Sequence, residues 1–137
     1  MSIPQLNKQL YIRTEVPSDI NFILNSWLKS YRNSKKTKKM TNDEYYTKQS
    51  KLIFELLQSS QIRVACNPED IKQIFGYIVY EVSGVVHFAY TKQVYRKFGV
   101  LKALLVQANL YNKPIVCTHW LSKCKEFKWK GVNLNAA

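Results

Sequence analysis

The chain has 137 residues, the length of one domain (1–137), with 21 Lys and Arg against 9 Asp and Glu for a formal charge of +12; 46% of it is apolar and 13% aromatic. A domain of this size buries most of its apolar surface without disulfide or metal staples, and the composition is globular with a basic surface rather than disordered. No apolar run approaches the ~18 residues of a membrane helix, Met1 to Leu10 lacks a signal-peptide pattern, and Cys66, Cys117 and Cys124 have no metal-site spacing, which predicts a cytoplasmic protein with free thiols and no metal.

Residues 11–14 are β-branched and aromatic and read as a first strand, ended by Val16-Pro17. Ser18 is placed to cap a helix whose apolar residues Ile20, Ile23, Leu24, Trp27, Leu28 and Tyr31 fall on one face, with Asp19 in its first turn and Lys29 and Arg32 in its last. Residues 33–39 are polar and basic, a solvated loop. Thr41 and Glu44 have capping-box spacing and open a second helix with its stripe at Tyr45, Gln49, Leu52, Ile53, Leu56 and Leu57, ending near Ser59-Ser60. The period then changes to strands at 62–66, 74–80 and 85–90, separated by turns at 67–70 and Ser83-Gly84. A third helix is predicted over 100–111, ended by Asn112-Lys113-Pro114, and a strand over 115–118. Residues 119–137 form a shortened C-terminal tail. The element order is β-α-α-β-β-β-α-β.

The most informative stretch is the strand at 85–90, the loop Tyr95-Arg96-Lys97-Phe98-Gly99-Val100-Leu101 and the helix behind it. A loop with Arg, Lys and Gly directly before a helix offers unpaired N–H groups and the positive dipole end to an anion such as a phosphate. The plainer reading is that Gly99 permits a tight turn and the charges are solvated.

In this loop and in element order the chain resembles the GNAT superfamily of CoA-dependent N-acetyltransferases, whose loop has the form Gln/Arg-x-x-Gly-x-Gly/Ala. Arg96-x-x-Gly99-x-Leu101 matches two of its three positions, and Ile12-Arg13, Asp19-Ile20 and Phe75-Gly76-Tyr77-Ile78 are also similar to family elements, over roughly residues 10–118. The resemblance implies an α/β (α+β) fold with a mixed, mostly antiparallel sheet flanked by helices, its fourth and fifth strands parallel and splayed. It also implies acetyl-CoA as cosubstrate and an amine acceptor. Arg96, Lys97, Phe98, Gly99, Val100 and Leu101 would hold the CoA pyrophosphate, and a backbone N–H near Phe88, Ala89 and Tyr90 would polarise the acyl carbonyl. Three features depart from the family. Leu101 stands where a small residue is usual, only residues 120–137 follow His119, and no tyrosine after Tyr111 can protonate the thiolate.

The family's glutamate base would fall at Val85, which accepts no proton. His87, two residues on, shares its face by strand alternation and has a suitable ordinary pKa near ~6.5. The alternative is a half-buried histidine with a satisfied hydrogen bond. His119 past the last strand is a second candidate, Glu81 at the hairpin turn a third that reads as solvated, and Tyr90 or Tyr111 could serve the thiolate. A Cys117 nucleophile is disfavoured against an inert core thiol.

Basic residues cluster at Lys29, Arg32, Lys35, Lys36, Lys38 and Lys39, and again after Val85. Such a field attracts an anionic partner, CoA or nucleic acid. Trp120 and Trp129 interleave with Lys123, Lys125, Lys128 and Lys130, which fits base stacking or, alternatively, a core closed beneath a solvated basic face. The rivals to acetyl transfer are thus an inactive GNAT-like binding or assembly protein, in a host cytoplasm or virion if phage-encoded, and a nucleic-acid-binding module. The strand at 115–118 predicts an open sheet edge and a homo-oligomer or protein complex through it and the tail, unless the tail folds back as an edge strand at 130–134.

Overall fold

The computed structural model describes residues 10–96, 98–119 and 132–133, the last pair by backbone alone. Tyr11–Thr14 forms β1, and a 3-10 turn at Pro17–Asp19 leads into α1, Ile20–Tyr31. Ser18 does not cap this helix. Asp19 closes the turn instead: its carboxylate accepts the Val16 N–H at 2.8 Å and the Arg13 guanidinium at 2.7 and 3.1 Å, which ties β1 to the helix start. Thr41 caps α2, Asn42–Ser59, by accepting the Glu44 N–H at 3.1 Å, as the spacing predicts.

The connection between these helices is more built than a solvated loop. Its lysines are exposed, but Ser34 and Thr37 are buried, and the Thr37 hydroxyl reaches the Tyr31 and Arg32 carbonyls, both at 2.8 Å. Arg32 donates to the carbonyls of Thr37 and Met40 and to Asn42 Oδ1, so backbone groups that a mobile loop would leave to water are satisfied internally.

Three antiparallel strands follow: β2 (Gln61–Asn67), β3 (Asp70–Glu81) and β4 (Val85–Thr91). β3 begins four residues earlier than its apolar run, because Asn67 pairs with Asp70 and narrows the turn to Pro68-Glu69. Helix α3 is shorter than predicted, Val100–Gln107. Asn109 takes a left-handed conformation (φ 61°), and the N–H groups of Asn109 and Leu110 return to Val106 at 3.0 Å and Leu105 at 2.8 Å. This is a Schellman stop with asparagine in the glycine position. Leu110 keeps the apolar period because it packs on the core without being helical.

β5 (Ile115–Cys117) runs parallel to β4, and β6 (Val132–Asn133) runs parallel to β5. The six strands lie in the order β1-β2-β3-β4-β5-β6. The backbone of β6 therefore occupies the outer edge of β5 at Ile115 and Val116, inside the segment 130–134 that the sequence offered as a fold-back strand and against the open edge it predicted there. Helices cover both faces. Val100, Leu104 and Leu105 of α3 pack with Phe75, Ile78, Tyr80, Val86 and Ile115; Ile23 and Trp27 of α1 and Ile53 and Leu57 of α2 pack with Val64, Tyr77, Val79 and Phe88.

Candidate active site

β4 is out of step with its neighbour at one residue. Val79 faces Phe88 and Tyr80 faces Val86, so His87 is an extra residue, a β-bulge. Strict alternation therefore fails between His87 and Phe88: Val86 packs with the α3 side, and Phe88 with the α1/α2 side, stacked on Trp27 at 5.0 Å. The bulge also sets which backbone groups face β5. Lys92 N–H donates to the Phe75 carbonyl, and the two-residue repeat of an antiparallel ladder then turns Phe88 and Tyr90 to β3 and Ala89 and Thr91 the other way.

On that other side β5 pairs only with Val85 and Val86, through Val116 and Cys117, and Thr118 N–H makes one more bond to the Val86 carbonyl at 3.1 Å. Among the described residues the β4–β5 ladder ends there. The Ala89 backbone has no ladder partner on β5 among the described residues, and the Thr91 carbonyl accepts from Arg96 Nε at 3.0 Å.

Arg96 is exposed, and Gly99 has φ 84°, where a side chain would be strained. The first helical bond of α3 is Ala103 N–H to the Gly99 carbonyl, so helix geometry leaves the N–H groups of Val100, Leu101 and Lys102 without an acceptor in the helix. Val100 is buried, and Phe98 and Leu101 pack partly against the α3-side core. Leu101 thus departs from the small residue of the motif with its side chain turned to the core. Gly76, which the sequence did not single out, seats this helix. A Cβ there would lie 2.4 Å from the Tyr90 carbonyl oxygen and 3.2 Å from Val100 Cγ1. Lys97 lies outside the described residues.

Both histidines of the chain meet at the end of β5. His87 Nε2 donates to Glu81 Oε2 at 2.7 Å, His87 Nδ1 lies 3.0 Å from Thr118 Oγ1, and the same oxygen lies 3.0 Å from His119 Nδ1. Thr118 Oγ1 is also 3.3 Å from the His87 carbonyl oxygen. His119 rests on the Trp27 and Tyr31 rings at 5.0 and 4.6 Å. Burial chiefly, then the nearness of His87 and Lys36, pushes its pKa down to about 4. Glu81 stands at the turn in contact with solvent, as its position predicts, and has a partner as well. Its side chain is 48% exposed, yet its carboxylate is held by His87. The sequence offers Glu81 and His119 as separate candidates and misses that His87 and Thr118 join them, because the turn and the bulge between positions 81 and 87 hide the approach.

Tyr90 is half-buried against Tyr77 and Phe22, and Tyr111 lies beyond the far end of α3 with Lys102 over its ring. Cys66 is buried, and burial raises its thiol pKa; Cys117 is buried on β5. Among the described residues no group of three or more His, Cys, Asp or Glu is arranged to hold a metal ion, and no helix is long and apolar enough to cross a membrane. The tail residues Trp120, Trp129, Lys123, Lys125, Lys128 and Lys130, and Cys124, lie outside the described residues.

No family model and no curated protein matches the sequence. Solved structures do match it. A provisionally named acetyl transferase from Pyrococcus furiosus is 17% identical, with a TM-score of 0.59 over 93% of this chain and 83% of that one. A similarly named acetyltransferase from Clostridium difficile 630 is 16% identical, with a TM-score of 0.52 over 80% of this chain and 76% of that one. The apo form of YjaB from Escherichia coli is 18% identical, with a TM-score of 0.52 over 72% of this chain and 63% of that one. At these identities the likeness concerns the fold, and with its bulged fourth strand, parallel β4–β5 pair and glycine-opened third helix the chain has the fold of the GNAT acetyltransferases.

Proposed function

We propose that the protein transfers an acyl group, acetyl in the first instance, from CoA to an amine. The observation that carries this reading is that the β4–β5 ladder ends at Val86, which leaves the Ala89 backbone without a β5 partner among the described residues, on the strand that leads to the N-terminus of α3. Bound acetyl-CoA would supply a thioester, whose carbonyl an amine can attack. The Ala89 N–H is turned to donate to that carbonyl, which favours the charge that develops on its oxygen. The N–H groups of Val100, Leu101 and Lys102, with Arg96, suit the pyrophosphate. Phe88 and Tyr90 contribute shape rather than hydrogen bonds here, since their backbones face β3. Phe98, Val100 and Leu101 hold the loop to the core. In this reading the histidine pair takes the amine's proton, with His119 as the ring that receives it and His87 behind it.

Calorimetry with acetyl-CoA tests the reading, with release of CoA thiol over a panel of amines as the second readout. Wild type should bind, and its melting temperature should rise as linkage requires. Gly99→Val should lose binding while keeping its circular dichroism, because the branched side chain strains the φ 84° turn. Absence of binding by the wild type overturns the reading.

A further inference from the structure

We propose that His119, Thr118, His87 and Glu81 form a proton relay, which takes up a proton at His119 Nε2 and lodges the resulting charge on His87 beside Glu81. Its part in catalysis rests on the acyl-transfer reading; the relay itself does not.

The donors and acceptors along the chain of bonds fix its direction. The Glu81 carboxylate can only accept, so His87 Nε2 carries a proton toward it. In neutral His87 the other nitrogen, Nδ1, is then bare at 3.0 Å from Thr118 Oγ1, and the Thr118 hydroxyl donates its single proton there in preference to its longer, 3.3 Å contact with the His87 carbonyl oxygen, since otherwise two lone pairs would face each other. With that proton committed, His119 Nδ1 must be the donor to Thr118 Oγ1. Neutral His119 therefore has its lone pair on Nε2, which makes no hydrogen bond to a described residue.

A proton arriving at that lone pair reverses two bonds. His119 Nε2–H forms, His119 Nδ1–H passes to Thr118 Oγ1, and the Thr118 proton passes to His87 Nδ1. His119 ends neutral in its other tautomer, and His87 ends as an imidazolium against the Glu81 carboxylate. For an acceptor ammonium the N–H bond that breaks leaves a neutral amine with its electron pair, and one proton has entered the relay.

The surroundings of the two rings say why the charge moves on. Around His119 stand Trp27 and Tyr31 of α1, the Lys36 ammonium of the α1–α2 connection and His87, and no carboxylate of a described residue bonds to it. His87 has Glu81 at 2.7 Å, whose half-exposed carboxylate reaches water. A site that opposes charge where the proton enters, and pairs it where the proton stops, drives transfer inward.

Histidine ¹⁵N spectra of the full chain without ligand, which read the tautomer of each ring, test the relay. In alkaline solution His119 should hold its proton on Nδ1 and His87 on Nε2. As His87 becomes an imidazolium, His119 should switch to the Nε2–H tautomer in the same step and stay neutral. Thr118→Ser should keep that coupling and Thr118→Val should abolish it. If His119 keeps one tautomer throughout, or is protonated before His87, or still switches in Thr118→Val, the relay is overturned. Should Thr118→Val not fold, the wild-type titration and Thr118→Ser decide alone. Failure to bind acetyl-CoA would overturn the proposed function, whereas the relay stands or falls on the tautomer coupling alone.

Discussion

His119 is a residue whose charge the fold opposes. Burial against Trp27 and Tyr31, with His87 and Lys36 nearby, lowers its pKa to about 4, whereas a histidine in an unfolded chain titrates near ~6.5. Between those values the unfolded chain binds a proton that the native one refuses. Stability from this residue is therefore fully present above about pH 6.5 and declines as the pH falls toward 4, by about 3 kcal/mol in all. Asp19 has the other common arrangement. Its burial opposes the charge, but Arg13 and the Val16 N–H outweigh that and hold its pKa below the usual carboxylate value, so its contribution is lost only in stronger acid. In His119→Phe an uncharged ring keeps the packing, and urea midpoints at about pH 7 and pH 5 should move closer together than in the wild type. An unchanged gap would assign the slope to other groups.

At the scale of elements, β3 and α3 approach each other over a residue without a side chain. In Gly76→Ala the methyl would meet the Tyr90 carbonyl oxygen at 2.4 Å, and relief must come from backbone, because that oxygen belongs to β4. The substitution should cost about 1–3 kcal/mol by denaturation, and should also weaken acetyl-CoA in calorimetry, since the strand that shifts carries the Ala89 N–H. Destabilisation with unaltered affinity would separate the seat of the helix from the binding edge. Gly99 was legible in the sequence because a glycine between charged residues and an apolar helix asks for a turn. Gly76 was not, because a glycine inside an apolar strand shows its purpose only once the register with β4 is known. The same distinction runs through the rest. Periodicity located α1, α2 and the strands, since it records which face is buried. It overran α3, since Leu110 enters the core from a Schellman stop. It also kept Glu81 and Thr118 away from the histidines, since a bulge has no signature in a run such as Val85-Val86-His87-Phe88.

For the molecule as a whole, each strand of the sheet is a neighbour of the strand before it in the chain. Non-local crossing of the sheet is unnecessary, and a nascent chain emerging N-terminus first can add each strand to an edge already present. β1 to β4, with α1 and α2 on one side, need nothing from β5 for their ladder. The histidine cluster does need it, because β5 leads to Thr118 and His119 and meets β4 through two residue pairs among the described residues. The candidate site is thus completed by a late and lightly held event, and the free energy that opens it should be smaller than that which opens the sheet. Amide hydrogen exchange should rank the molecule accordingly: Val116 and Thr118, bonded to the carbonyls of Gly84 and Val86, should exchange well before the amides of the β2–β3 ladder. Equal protection in both places would make opening the site as costly as unfolding the protein; the expected order means that a cell can lose and regain the site many times within the lifetime of one folded chain.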